Sequence, residues 1–138
     1  MKRIAIATLT AAVLASVCVP AAWSAEKPSD RVVVMYFHRT QRCPTCQKMG
    51  SYSKEAVKQG LAELVDNGAV EFHYIDFQQP ANIRFAEAYK VEGPALIVAK
   101  IVNGKVQEYK NLEEIWMKVR EKPAFIEYVQ GGVQAYLK

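Results

Sequence analysis

Apolar residues in this chain recur with different periods, and the places where the period changes mark its elements. Val32-Val33-Val34-Met35-Tyr36-Phe37 is an unbroken β-branched and aromatic run. It predicts a strand over residues 31–37 that is buried on both faces and therefore central in its sheet. From Cys43 to about Val65 the pattern changes, with Met49, Tyr52, Ala56, Val57, Leu61, Leu64 and Val65 spaced three and four apart. That spacing predicts one long amphipathic helix, stopped by Asn67-Gly68. Gly50 and Gly60 each weaken it by about 1 kcal/mol and mark where it can kink. Val70 to Phe77 reads as a second strand, followed by a short helix through Ile83, Phe85, Ala86 and Tyr89. Strand, helical crossover and strand imply a parallel pair with a right-handed connection. His73 reads as a partly buried strand residue rather than a catalytic one, and Asp76 as the end of the strand or a cap for the next element.

Gly93-Pro94 precedes another apolar run, Ala95 to Val102, and Asn103-Gly104 separates that run from Lys105 to Tyr109. Asn-Gly between two β runs predicts an antiparallel hairpin. Asn111-x-x-Glu114 suits a helix cap opening a helix with Leu112, Ile115, Trp116 and Val119. Pro123 starts a last helical stretch through Phe125, Ile126, Val129, Val133 and Leu137, interrupted at Gly131-Gly132. The aromatics of these stretches read as core fillers. The resulting order, β-α-β-α-β-β-α, is that of an α/β protein.

At 138 residues and 51% hydrophobic content the chain suits one packed domain. Its first residues read differently. Met1-Lys2-Arg3 is basic, Ile4 to Val19 is uncharged and mostly apolar, and Ala22-Trp23-Ser24 places small residues before a cut. Residues 1–24 are expected to be a signal peptide, 25–30 a flexible leader and 31–138 the folded domain. The alternative, an uncleaved anchor, is disfavoured because the run is short of the roughly 20 apolar residues that span a bilayer and is interrupted by Thr8, Thr10 and Ser16. Lipid attachment at Cys18 meets a bulky Val17.

Export would leave Cys43 and Cys46 of the three cysteines, in a compartment that permits disulfides, and would place the protein in a bacterial periplasm. Removing Lys2 and Arg3 with the signal takes the net charge from +4 to +2, too small an excess to argue for nucleic acid. Locally, His38, Arg39, Arg42 and Lys48 bracket the cysteines. They read either as a solvated basic loop, which suits Lys48, or, for Arg39 and Arg42, as cations that favour a thiolate.

Cys43-Pro44-Thr45-Cys46 carries the chemistry. Two intervening residues let both sulfurs meet at the first turn of a helix, so that one thiolate can attack a partner's disulfide and the other can resolve the mixed disulfide. Pro44 fits the first turn, where its missing N–H costs nothing. The positive helix end lowers a thiol pKa from roughly 8.5 toward about 3.5–7.5, which makes Cys43 the nucleophile and Cys46 the resolving thiol. The same spacing also serves half a zinc site, a clamp for a soft ion such as Cu(I) or trivalent arsenic, or a structural disulfide. With Cys18 removed in the signal, the mature chain would keep no further cysteine to complete a zinc ribbon, and His38 and His73 lack the usual ligand spacing.

With C-x-x-C at the start of its first helix, the order of elements resembles the thioredoxin fold over residues 31–138, a three-layer α/β/α sandwich with a central mixed sheet. Tyr89-Lys90-Val91-Glu92-Gly93-Pro94-Ala95-Leu96 is similar to the segment in which thioredoxins carry a cis-proline facing the active site, and Val102-Asn103-Gly104-Lys105 to their hairpin. The resemblance implies a cis Pro94 packed beside Cys43, with the Gly93 backbone helping to hold a substrate strand. Departures are equally specific. Arg42 stands where thioredoxins have tryptophan, Pro44-Thr45 where they have Gly-Pro, closer to the Cys-Pro-x-Cys of glutaredoxins, and no aspartate occupies the first strand beside Tyr36 and Phe37. Tyr36-Phe37-His38-Arg39-Thr40-Gln41-Arg42 leading into Cys-Pro-Thr-Cys resembles the exported thioredoxin-like proteins of the ArsF family, described as nitrophenyl-compound nitroreductase subunits, which implies electron delivery. The expectation is an exported thiol–disulfide oxidoreductase or electron-delivery protein with catalytic Cys43 and Cys46, a groove at Gly93 and Pro94, and a thiolate tuned by Arg39, Arg42, Pro44 and Thr45. It is expected to need no organic cofactor or metal, to meet a protein thiol, disulfide or reductase subunit, and to keep no membrane span once the signal is removed.

Overall fold

A computed structural model describes residues 27–138, so the expected signal peptide lies outside the described residues. The elements are β1 (Arg31–His38), α1 (Pro44–Gly60), α2 (Ala62–Asp66), β2 (Val70–Asp76), α3 (Ile83–Ala88), β3 (Ala95–Val102), β4 (Lys105–Asn111), α4 (Ile115–Lys118) and α5 (Lys122–Gln134), with a 3-10 turn at Pro80–Asn82. The four strands form one mixed sheet in the order β2-β1-β3-β4. β1 is parallel to β2 and antiparallel to β3, and β3 is antiparallel to β4. The uninterrupted apolar run of β1 thus sits where it must, between two neighbours and with both faces covered.

Strand periodicity sorts its side chains. Val32, Val34 and Tyr36 join Met49 and Val57 of α1, Phe125, Val129 and Val133 of α5, and Leu112 and Ile115 in one core. Val33, Met35 and Phe37 join Ile75, Ala86, Tyr89, Ile97 and Ile101 in a second core under α3. Helices therefore lie on both faces of a mixed sheet, the α/β arrangement that the pattern predicts. Among the described residues no helix is long and apolar enough to cross a membrane.

Several local expectations are corrected. The single long helix is parted at Leu61 (φ −134°, ψ 29°), directly after Gly60, because Leu61 turns into the core while the Gln130 side chain occupies the space beside Gly60. Asn111 caps no helix: it ends β4 opposite Ile97, and the Leu112 N–H continues the ladder to the Leu96 carbonyl (2.8 Å). α4 is consequently a single turn without a side-chain cap. α5 runs through Gly131 and Gly132, since Gly132 lies against Leu112 where a larger residue would collide. His73 is exposed rather than partly buried, because β2 is an edge strand, and it pairs with Glu71 (2.9 Å). Residues 27–30, part of the expected 25–30 leader, make contacts with the folded domain. The Asn103 N–H donates to Asp30 Oδ1 (2.9 Å), the Gly104 N–H to the Ser29 carbonyl (3.1 Å), and Lys27 meets Glu71. At the hairpin, Asn103 and Gly104 both take positive φ (50° and 75°), as a two-residue turn that matches strand twist requires.

Candidate functional site

Cys43 occupies the cap position of α1 in extended backbone (φ −69°, ψ 160°), with Pro44 as the first helical residue. Its sulfur accepts the Cys46 N–H (3.2 Å) and so stands where a capping oxygen usually stands. No acidic side chain lies in the first turn to oppose the positive end of this 17-residue helix. Cys43 and Cys46 form a disulfide, with their Cα atoms 5.1 Å apart. Their environments differ: Cys43 is exposed, whereas Cys46 is 7% exposed and packed into the core. One sulfur is open to attack and helped to bear charge, and the other is sheltered behind it.

The floor of the site is aromatic. Fully buried Tyr36 donates its hydroxyl hydrogen to the Cys46 carbonyl (2.7 Å), and Tyr74 does the same to the Gly50 carbonyl (2.8 Å). The two rings meet edge to face at 6.1 Å. Gly50 is required for this approach, because a methyl group there would lie 2.8 Å from the Tyr36 ring and 2.9 Å from that of Tyr74. Burial pushes the Tyr36 phenol up to about 12; Arg42 works against that rise and Tyr74 adds to it. Arg42 also lies over the Tyr74 ring, 5.8 Å from its centroid.

A second set of contacts holds the loop before the helix. The Thr40 hydroxyl donates to Asp76 Oδ2 (2.7 Å) and the Thr40 N–H to Gln78 Oε1 (3.1 Å), which ties residues 39–42 to the end of β2. The Thr40 hydrogen bond leads in holding the Asp76 carboxyl below its usual range, against partial desolvation and with help from the Gln78 N–H and the Gln79 amide. Asp76 thus ends its strand and fastens the loop.

Above the cysteines is a groove of about 260 Å³ lined by Arg39, Gln41, Arg42, Cys43, Cys46, Pro94 and Trp116. Pro94 arrives there because β3 begins at Ala95 opposite Phe37, at the sheet end from which the cysteine loop departs. The Gly93–Pro94 bond is trans, contrary to the cis form implied by the resemblance. Left-handed Lys90 (φ 55°) reverses the chain after α3, and Pro94 enters β3 in the isomer that X–Pro bonds favour. Arg39 and Arg42 line the groove, whereas Gly93, Pro44 and Thr45 do not. Thr45 and Lys48 line instead a second cleft, which shares Trp116 with the first. His38 leans over Tyr36, with ring centroids 6.3 Å apart.

Sequence reasoning missed Trp116, Tyr36 and Tyr74 as parts of the site. Trp116 falls four residues after Leu112, on the apolar stripe, yet α4 buries Ile115 and leaves Trp116 45% exposed. No three His, Cys, Asp or Glu side chains gather around one point among the described residues, so a soft ion bound here would have the two sulfurs as its ligands.

The class defined by this geometry is an α/β protein with a helix-capping dithiol–disulfide pair beside a proline and an open groove. No protein-family model and no curated protein matches the chain.

Proposed function

We propose that the protein is an exported thiol–disulfide oxidoreductase or electron-delivery protein of the thioredoxin-like kind, acting through Cys43 and Cys46 on a protein partner or reductase subunit. The observation that carries this reading is the inequality of the two sulfurs: exposed Cys43 accepts a helix N–H, and Cys46 is buried behind it. In the reducing direction the Cys43 thiolate attacks one sulfur of the partner's disulfide and releases the other as a thiolate, which takes up a proton. The Cys46 thiolate then attacks Cys43, reforms the Cys43–Cys46 bond and releases the partner's second thiol. Two electrons and two protons pass to the partner, and the reverse sequence oxidises a partner dithiol.

Arg39 and Arg42 line the groove, and with the helix terminus they favour the Cys43 thiolate, hence the reduced pair. The potential is therefore expected above the roughly −270 mV of thioredoxin. The test is a glutathione redox titration of the protein, with mass analysis of the alkylated thiols. A reversible two-electron transition with both cysteines changing together is expected. A pair that stays oxidised across the titration would reduce it to a structural disulfide.

A further inference from the structure

Trp116 lines the groove over the cysteines. That indole also borders a second cleft, of about 270 Å³, lined by Thr45, Lys48, Tyr52, Trp116, Val119 and Arg120. Trp116 is thus a ridge between two depressions, one holding the sulfurs and one that holds no part of the thiol chemistry. Beside it Met117 is 70% exposed, the most exposed large apolar side chain among the described residues. Met117 lines neither cleft, so the apolar contact area offered at the groove is that of Trp116.

The charged side chains that line the two clefts are all cationic, while Glu113, Glu114 and Glu121, close by in the chain, line neither. Arg39 and Arg42 line the first cleft and Lys48 and Arg120 the second, and no carboxylate lines either. Among the described residues the ion pairs use Lys27, Arg31, His73, Lys118 and Lys122, so these four cations have no acidic partner. Two clefts that share Trp116 in their linings, each with two cations and no carboxylate, suit a polypeptide segment carrying negative charge near its reacting sulfur.

We infer that the partner is a polypeptide whose reactive cysteine is flanked by acidic residues, with an apolar side chain against Trp116 and a carboxylate reaching Lys48 and Arg120 in the second cleft. The inference rests on the redox reading above and specifies its substrate. Complementary charge of this kind acts mainly on encounter rate and on discrimination between partners, and salt screens it over about 10 Å at 0.1 M.

The experiment measures reduction, by the reduced protein, of three disulfide-closed peptides identical except that the residues flanking one cysteine are acidic, neutral or basic. Each reduced protein molecule reacts once, breaking the peptide disulfide, forming the Cys43–Cys46 bond and transferring two electrons and two protons to the peptide. At low salt the second-order rate constant should be about tenfold or more higher for the acidic than for the basic peptide, a ratio that falls with added salt. In a Lys48→Gln/Arg120→Gln variant the ratio should drop severalfold. The ratio cancels any effect on thiol chemistry common to all three peptides. Equal rates for the three in the wild type, or an unaltered ratio in the variant, would overturn the inference while leaving the redox reading intact. Failure to exchange with any peptide in either direction, neither reduction of its disulfide by the reduced protein nor oxidation of its dithiol by the oxidised protein, would overturn both.

Discussion

On one face of the sheet β1 presents Val32, Val34 and Tyr36 to α1 and α5, where Met49, Val57, Phe125 and Val129 are fully buried. On the other, Val33, Met35 and Phe37 meet the six-residue α3, and a cleft of about 380 Å³ remains beside Met35, Ile75, Phe85 and Tyr89. The difference in packing extends to the cysteine pair. Cys46 belongs to the tightly packed face, through its own burial and through Tyr36, whereas Cys43 projects from the end of the same helix into solvent. The buried sulfur is held in place and the exposed one is left accessible, as the proposed resolving and attacking roles require.

The contrast is broken most severely by truncating the well-packed face. Phe125→Ala should cost about 3–5 kcal/mol, since Phe125 is fully buried, while Phe85→Ala, at a residue 41% exposed, should cost about 1 kcal/mol. Urea denaturation of both variants measures the two values. Similar losses would mean that the faces are equivalent.

Next in size is Gly50→Ala. The added methyl meets two rings that are themselves hydrogen-bonded to α1, and forcing them apart costs about 1–3 kcal/mol, of which improved helix propensity returns less than about 1. A net loss of stability, with an altered near-ultraviolet tyrosine signal, is the expected result. A stabilised variant would show that the tyrosines do not clamp the helix.

Smaller again is Tyr36→Phe, which leaves the Cys46 carbonyl without its donor and should cost about 1–2 kcal/mol. The same variant has a pH signature. Burial raises the Tyr36 phenol from its ordinary 10.0 to about 12, so the folded state holds this proton more tightly than the unfolded chain does. The stability it lends is full below pH 10 and is lost as pH rises through about 12. Wild-type stability should therefore fall across that interval, and more shallowly in Tyr36→Phe.

Much of this architecture is legible in the residues because local preference and global place agree. The central strand, the parallel crossover and the Asn103-Gly104 turn each have one dominant physical reading, and the cysteine spacing places both sulfurs on one helical turn. The illegible features depend on tertiary context. The break at Leu61 depends on Gln130, far along the chain in α5, and the cap suggested by Asn111 and Glu114 gives way to one more pair of the β ladder. Trp116 satisfies the apolar stripe yet is turned outward because one helical turn buries only Ile115. Tyr36 sits in a run that is apolar on both sides, where periodicity carries no sign that its hydroxyl meets the Cys46 backbone.

The division of labour between the two sulfurs is tested most directly by trapping. The Cys46→Ser and Cys43→Ser variants are each incubated with oxidised glutathione, and adducts are counted by intact mass over time. Cys46→Ser should accumulate one glutathione on exposed, N–H-capped Cys43 and retain it for want of a resolving thiol, while Cys43→Ser, whose remaining cysteine is 7% exposed, should react far more slowly. Faster adduct formation on Cys43→Ser would contradict the account.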